Sequence, residues 1–168
     1  MKFQQSHPEY DTIKWSEWRP KDQATLCFVF MNQQILLIEK KRGLGKGKVN
    51  GPGGRMEPGE SPEDCAIRET MEELHVKPLN PVNRGRLRFQ FKDGYSLECW
   101  IFSADQHEGT ATETDEAVPL WTPVDNIPYG RMWADDILWI PHMLSGHNVE
   151  GTFLFDNDTM LGYELDIL

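Results

Sequence analysis

The sequence predicts an α+β domain in which a mixed sheet carries helices on opposite faces. Segments near 83–92 and 96–103 alternate apolar with polar residues, Phe89 and Phe91 on the first and Leu97, Cys99 and Ile101 on the second, with the Lys92-Asp93-Gly94 turn between them. Two helical patterns supply the other layer. One starts near residue 62, and the other spaces Ile137, Leu138, Ile140, Met143 and Leu144 over about 134–145. A length of 168 residues and 39% hydrophobic content suit one domain with a sizeable core.

In chain order, residues 1–22 form an arm whose Trp15, Trp18 and Pro20 are expected to pack on the body or on a second subunit; the domain proper runs over 23–168. Strands are expected near 23–31 and 34–39, then the first helix, the hairpin, a short strand near 118–122, the second helix, and closing strands near 151–156 and 160–166. Pro141 lies inside the second helix pattern, where its missing N–H predicts a break.

Composition excludes several classes. The longest apolar runs, such as Leu36 to Ile38, are far short of a membrane span, and the polar start MKFQQSHPEYD lacks the regions of a secretory signal, so the cytoplasm is the expected compartment. Cys27, Cys65 and Cys99 are odd in number and widely spaced, which predicts reduced packing residues. A net charge of −10 argues against extended binding to nucleic-acid backbones. A small polyanion would be received locally, and Lys40, Lys41, Arg42, Lys46 and Lys48 form the densest basic run, just before the glycine-rich NGPGG.

The stretch from Gly54 to Val76, GRMEPGESPEDCAIRETMEELHV, carries the chemistry. Ser61 suits an N-cap, Pro62 the first helical position, and Glu63 and Asp64 the positive helix end. At helical spacing, Glu69, Glu72 and Glu73 share one stripe, while Ile67, Met71 and Leu74 gather opposite as the expected core face. Three like charges on one stripe repel, and a bound cation removes the penalty. Oxygen-only ligands suit Mg²⁺ or Mn²⁺ rather than zinc, since no His or Cys joins the stripe.

Gly54, five residues, Glu60, seven residues, Arg68-Glu69, two residues, and Glu72-Glu73 together resemble the Nudix box of hydrolases that act on nucleoside diphosphates linked to another moiety. Thr70 stands where that family usually has an aliphatic residue, and His75 where it usually has Gly. The resemblance implies a three-layer α/β/α sandwich with a mixed sheet. It also implies metal ligation by Glu69 and Glu73, with Glu72, Glu60 and backbone oxygen at Gly53 or Gly54 assisting. Arg68 would orient a neighbouring carboxylate, and either a motif glutamate or Glu116, a further candidate ligand, would act as general base.

Beyond the box, GKVNGPGG, TETDEAVPLW and MWADD are similar to the MutT-type subgroup that hydrolyses oxidised purine nucleoside triphosphates such as 8-oxo-dGTP, over roughly residues 23–166. On that likeness Asn50, Trp133, Asp135 and Asp136 read the purine, Leu44, Phe89 and Leu97 complete an apolar pocket, and Lys40 meets phosphate. Two adjacent carboxyls facing one base are expected to share a proton, which lets one pocket read both 8-oxoguanine and 2-hydroxyadenine. The expected reaction is attack of water on a phosphoryl group, giving a nucleoside monophosphate and pyrophosphate, by a monomer or homodimer. Rival substrates are undamaged GTP or dGTP, an RNA 5′ end, or a nucleotide sugar, the last disfavoured by Asn50 and the Asp pair. The rival of another class, a nucleotide-binding sensor without turnover, is disfavoured by the complete carboxylate set.

Overall fold

In the computed structural model, which describes residues 1–168, the chain opens with strand β1 (Lys2–Gln5) and one helical turn, α1 (Pro8–Asp11). It then enters β2 (Asp22–Met31), β3 (Gln34–Lys40) and the short β4 (Val49–Asn50) and β5 (Gly53–Arg55), before helix α2 (Pro62–Leu74). Next come β6 (Lys77–Leu79), β7 (Val82–Phe91), β8 (Ser96–Ala104), β9 (Gln106–Glu108) and β10 (Ala117–Pro123). Helix α3 (Asp136–Leu144) and the hairpin β11 (Val149–Asp156) and β12 (Thr159–Ile167) finish it.

The main sheet runs β1-β12-β11-β7-β8-β2-β3-β10, with β4 on β3 and β5 on β2; β6 and β9 pair separately. The β2–β8 and β7–β11 pairs are parallel and the others antiparallel, so the sheet is mixed as predicted. Asn32 and Gln33, both at positive φ, make the two-residue turn that joins β2 to β3.

Period-two alternation assigns the helices to opposite faces. Cys27 and Val29 of β2, Leu36 and Ile38 of β3 and Phe102 of β8 pack in one cluster with Ala66 and Leu74 of α2. The intervening Phe28, Ile35, Leu37 and Ile101 pack in another cluster with Trp139, Ile140 and Met143 of α3. Residues adjacent in sequence thus feed two cores, as strands covered on both faces require. All three cysteines are buried and free.

Helix α2 begins where its signals placed it, since Ser61 Oγ accepts from the Asp64 N–H at 3.1 Å and Pro62 follows. It ends at His75, which takes the left-handed conformation at φ 61° that glycine usually fills. Its buried face differs from the expected one. Leu74 is buried as expected, but Met71 is 44% exposed, and Ala66, Thr70 and Glu73 point inward instead. Small Ala66 lets the helix sit close to β2, and the Thr70 hydroxyl is satisfied by donating to the Ala66 carbonyl at 2.7 Å.

The break expected at Pro141 does not occur, because α3 runs unbroken from Asp136 to Leu144. In so short a helix the proline deprives one carbonyl, that of exposed Ile137, which solvent can reach. The arm also has more structure than expected. β1 pairs with β12, and buried Tyr10 shares a 2.8 Å hydrogen bond with Thr152, so the arm packs on the body.

Candidate active site

A cavity of about 700 Å³ opens where β5, the acidic stripe of α2, the loop before β10 and the start of α3 meet. Two glycines make the approach. A Cβ on Gly54 would overlap the Glu69 carboxylate, and one on Gly53 would overlap the Thr25 carbonyl, so only glycine lets α2 bring its acids against this edge of the sheet.

At this polar end every candidate ligand is held by a donor of the chain. Glu73 Oε1 accepts from the Gly53 N–H at 3.1 Å, Glu69 Oε1 from Arg68 Nη1 at 2.8 Å, and Glu116 Oε1 from Arg42 Nη2 at 2.9 Å. Arg68 also grips Glu60 with two bonds of 2.6 and 2.8 Å, donates to the Arg55 carbonyl at 3.0 Å and reaches Glu72 at 3.2 Å. Its fork orients the acids and does not face the cavity.

Burial pushes Glu73 up to about 8, with Glu116 and Glu69 adding to the rise and the Gly53 N–H and Lys40 opposing it. Burial likewise raises Glu69, against the pull of Arg68 and with Glu72 and Glu116 adding to the rise. Glu60 is drawn down to about 2, chiefly by Arg68. Burial lowers Lys40, which Glu73 partly restores.

These groups fit a divalent cation by chemistry: the donors are all oxygen, and Glu69, Glu73 and Glu116 repel one another. No three of them converge on one point in this conformation. A closed cage is not needed for an ion that keeps waters and shares phosphate oxygens. Of the predicted ligands, Gly53, Gly54, Glu69, Glu73 and Glu116 line the cavity. Glu60 and Glu72 lie outside it, Glu60 paired to Arg68 and Glu72 turned to solvent.

The other end of the cavity is apolar below and acidic at its wall. Leu26, Leu87, Phe89 and Leu97 line the floor side, with Leu44, Asn50 and Trp133 around them. Asn50 Oδ1 accepts from the Gly51 N–H at 2.9 Å, which leaves its amide hydrogens free to donate. Trp133 stands edge-on to Phe91 and Phe155, with Lys48 Nζ 5.3 Å from its ring centre.

Asp135 and Asp136 sit on the wall, 2% and 4% exposed. Asp135 makes no capping bond to the helix; its Oδ2 accepts from Trp139 Nε1 at 2.9 Å. Asp136 Oδ2 is buried and has no partner. Burial raises both carboxyls, and Asp135 raises Asp136 further. Asp136 lines the cavity, and a buried carboxyl oxygen without a partner in such a wall is a place where a ligand's hydrogen-bonding group could be met.

The family model described as the NUDIX domain matches residues 20–143. The chain belongs to the Nudix family. This Nudix hydrolase is 42% identical over 146 residues to the oxidized purine nucleoside triphosphate hydrolase of Danio rerio, with 84% of this chain and 92% of the relative covered. The protein of the same description from Mus musculus is 43% identical over 145 residues at the same coverage. Among solved structures, a mutator MutT protein from Bacillus halodurans superposes with a TM-score of 0.78 at 31% identity, covering 86% of this chain and 97% of its own. Nudix hydrolases work with a divalent metal, which the oxygen-rich end of the cavity suits.

The Nudix fold brings together every substrate-binding residue expected from sequence: Lys40, Leu44, Asn50, Phe89, Leu97, Trp133, Asp135 and Asp136 all line the cavity. Sequence reasoning missed Trp139, Arg55 and Tyr95 there. The i,i+4 spacing of Asp135 and Trp139 was a usable signal for the first. Arg55 and Tyr95 come together at Asp22, to which Tyr95 donates at 2.8 Å and which lies 3.5 Å from Arg55 Nε. Nothing local in the sequence announces that meeting.

Proposed function

We propose that this Nudix hydrolase cleaves oxidised purine nucleoside triphosphates, such as 8-oxo-dGTP, to the monophosphate and pyrophosphate, and so clears them from the nucleotide pool. One observation carries the reading: Asp136, whose buried Oδ2 has no partner, lines the same cavity as Glu69, Glu73 and Glu116. A purine's ring N–H and exocyclic groups suit the acidic wall, and a triphosphate suits the opposite end. The likeness to two oxidized purine nucleoside triphosphate hydrolases over 84% of the chain supports it.

Glu69, Glu73 and Glu116 would hold the cation, for which Mg²⁺ is our assignment and Mn²⁺ a substitute. When bound, it neutralises charge on the polyphosphate and acidifies the attacking water. Arg68 holds Glu69 in place, and Lys40, set into the cavity wall, offers an ammonium to a phosphate oxygen. Glu116, on a half-exposed loop, and the motif glutamates are within the cavity to take a proton. Asn50 donates and Asp136 answers at the base, while Phe89, Leu97 and Trp133 exclude water.

No helix is long and apolar enough to cross a membrane. Three free thiols suit a reducing compartment, and we place the enzyme in the cytoplasm, acting on free nucleotides rather than nucleic-acid chains. The test is pyrophosphate release with Mg²⁺ from 8-oxo-dGTP, 2-hydroxy-dATP, dGTP, GTP and a nucleotide sugar, compared as kcat/KM. A clear preference for an oxidised purine is expected. Faster cleavage of dGTP or GTP would replace the substrate, and no release from any of them would make the chain a sensor.

A further inference from the structure

The turn between β7 and β8 carries two rings of the cavity, Phe91 and Tyr95, and it is stitched to the N-terminal arm. Trp18 Nε1 donates to Gln90 Oε1 at 2.9 Å. The same Gln90 carboxamide donates across the turn, to the Phe91 carbonyl at 2.9 Å and the Tyr95 carbonyl at 3.1 Å. Its acceptor and both its hydrogens are therefore committed. Two further ties flank this one: Lys21 N–H donates to Ser96 Oγ at 2.9 Å, and Lys92 pairs with Glu9 at 3.1 Å.

On its cavity side the turn is equally constrained. The Phe91 and Tyr95 rings lie 5.9 Å apart, Phe91 meets Trp133 edge-on at 6.0 Å, and Tyr95 Oη donates to Asp22. A shift of the turn would thus be felt at Trp133 and along the apolar floor. The NUDIX match begins at residue 20, so Trp18 precedes the segment that the family shares.

We propose that the N-terminal arm is a positioning element of the purine pocket, with Trp18 and Gln90 as the positioning residues that hold Phe91 and Tyr95 in place. The proposal rests on the reading of this cavity as a purine site. It assigns the arm to base binding and leaves the metal end untouched, because no arm residue reaches Glu69, Glu73 or Glu116.

Trp18→Phe keeps a ring beside Trp15 and Arg88 but removes the donor; Gln90→Leu removes the carboxamide. Neither substitution orphans the turn, since the Phe91 carbonyl keeps the Gly94 N–H and the Tyr95 carbonyl keeps the Phe91 N–H. In the full-length enzyme with Mg²⁺, each variant is expected to raise KM for 8-oxo-dGTP by roughly three- to tenfold, the scale of one neutral hydrogen bond, with kcat and the Mg²⁺ dependence unchanged. The double variant is expected to be no worse than the worse single, the sign of one shared path. Hydrogen exchange at the Gly94 and Tyr95 amides is expected to quicken in both variants.

Faster exchange with an unchanged KM would overturn the proposal by making the stitch structural only. Unchanged exchange would overturn it by showing that the arm does not hold the turn. Additive KM effects would overturn the single path. A wild-type enzyme that cleaves no purine triphosphate would instead overturn the functional reading beneath it, whatever the exchange shows.

Discussion

Trp139 donates its indole N–H to Asp135 Oδ2 at 2.9 Å, and that bond separates the roles of two adjacent buried carboxyls. An indole N–H only donates, so the oxygen it meets keeps its lone pair and Asp135 is favoured as the ionised partner. On the proposed reading of the site, a proton shared by the pair is then directed to Asp136, whose buried Oδ2 has no partner. Trp139→Phe removes this bias while retaining a packed ring against Phe28. The ratio of kcat/KM for 8-oxo-dGTP to that for 2-hydroxy-dATP should shift by roughly ten- to a hundredfold, the worth of one hydrogen bond to a charged group. Loss of both activities in equal measure would assign Trp139 to packing alone.

The same pair makes stability depend on pH. Burial raises Asp136 above the value of an unfolded aspartate, about 3.9, so the folded chain holds a proton that the unfolded chain has lost. Stability therefore falls as pH rises above about 4 and through the raised range, the opposite of a salt-bridged aspartate. Asp136→Asn should raise Tm at pH 7.5 by about 2–4 °C for each 1 kcal/mol relieved, with the gain fading near pH 4. A gain of equal size at both pH values would show that the cause is not ionisation.

Much of this was legible from local pattern. Glu69 and Glu73 share a face because they lie four apart on a helix with clear start signals, and Phe89, Leu97, Trp133 and the Asp pair all reached the cavity. The failures came where tertiary packing outranks periodicity. Of the expected stripe Ile67, Met71 and Leu74, only Leu74 is fully buried, since Gly53 and Gly54 allow the helix to turn until Ala66, Thr70 and Glu73 face inward beside it. Pro141 broke a local rule at the cost of one carbonyl, which the fold tolerates. The Trp18–Gln90 and Tyr95–Asp22 bonds join residues about 70 apart in sequence, and no spacing rule reaches that far.

Gly53 and Gly54 lie side by side but should fail differently. A Cβ on Gly54 meets the Glu69 carboxylate, the end of a side chain that can swing away, whereas one on Gly53 meets the Thr25 backbone in the β2–β5 pair. Gly54→Ala is expected to leave Tm nearly unchanged while lowering kcat by about 10²-fold, the usual result of a ligand moved by about 1 Å. Gly53→Ala should lower Tm as well. Circular-dichroism melting beside single-turnover kinetics separates the two, and equal melting losses would show that Glu69 is not the group displaced.

With Glu73 as the proposed ligand, metal binding should depend on pH. In the metal-free protein burial pushes it up to about 8, against about 4.3 for an unfolded glutamate, so the metal-free fold loses stability as pH climbs from about 4.3 to about 8. A divalent cation needs the carboxylate form, and near pH 6 it must first displace that proton. Affinity for Mg²⁺ should therefore be roughly ten- to a hundredfold weaker at pH 6 than at pH 8.5, and the rise in Tm at a fixed Mg²⁺ concentration correspondingly smaller. Glu73→Gln should raise Tm of the metal-free protein at pH 8.5, remove most of the pH dependence of the Mg²⁺ shift, and lower kcat by about 10²-fold or more. Titration calorimetry with Mg²⁺ at the two pH values checks the linkage directly: proton release on binding at pH 6 is expected, and its absence would mean that Glu73 already binds the ion without giving up a proton.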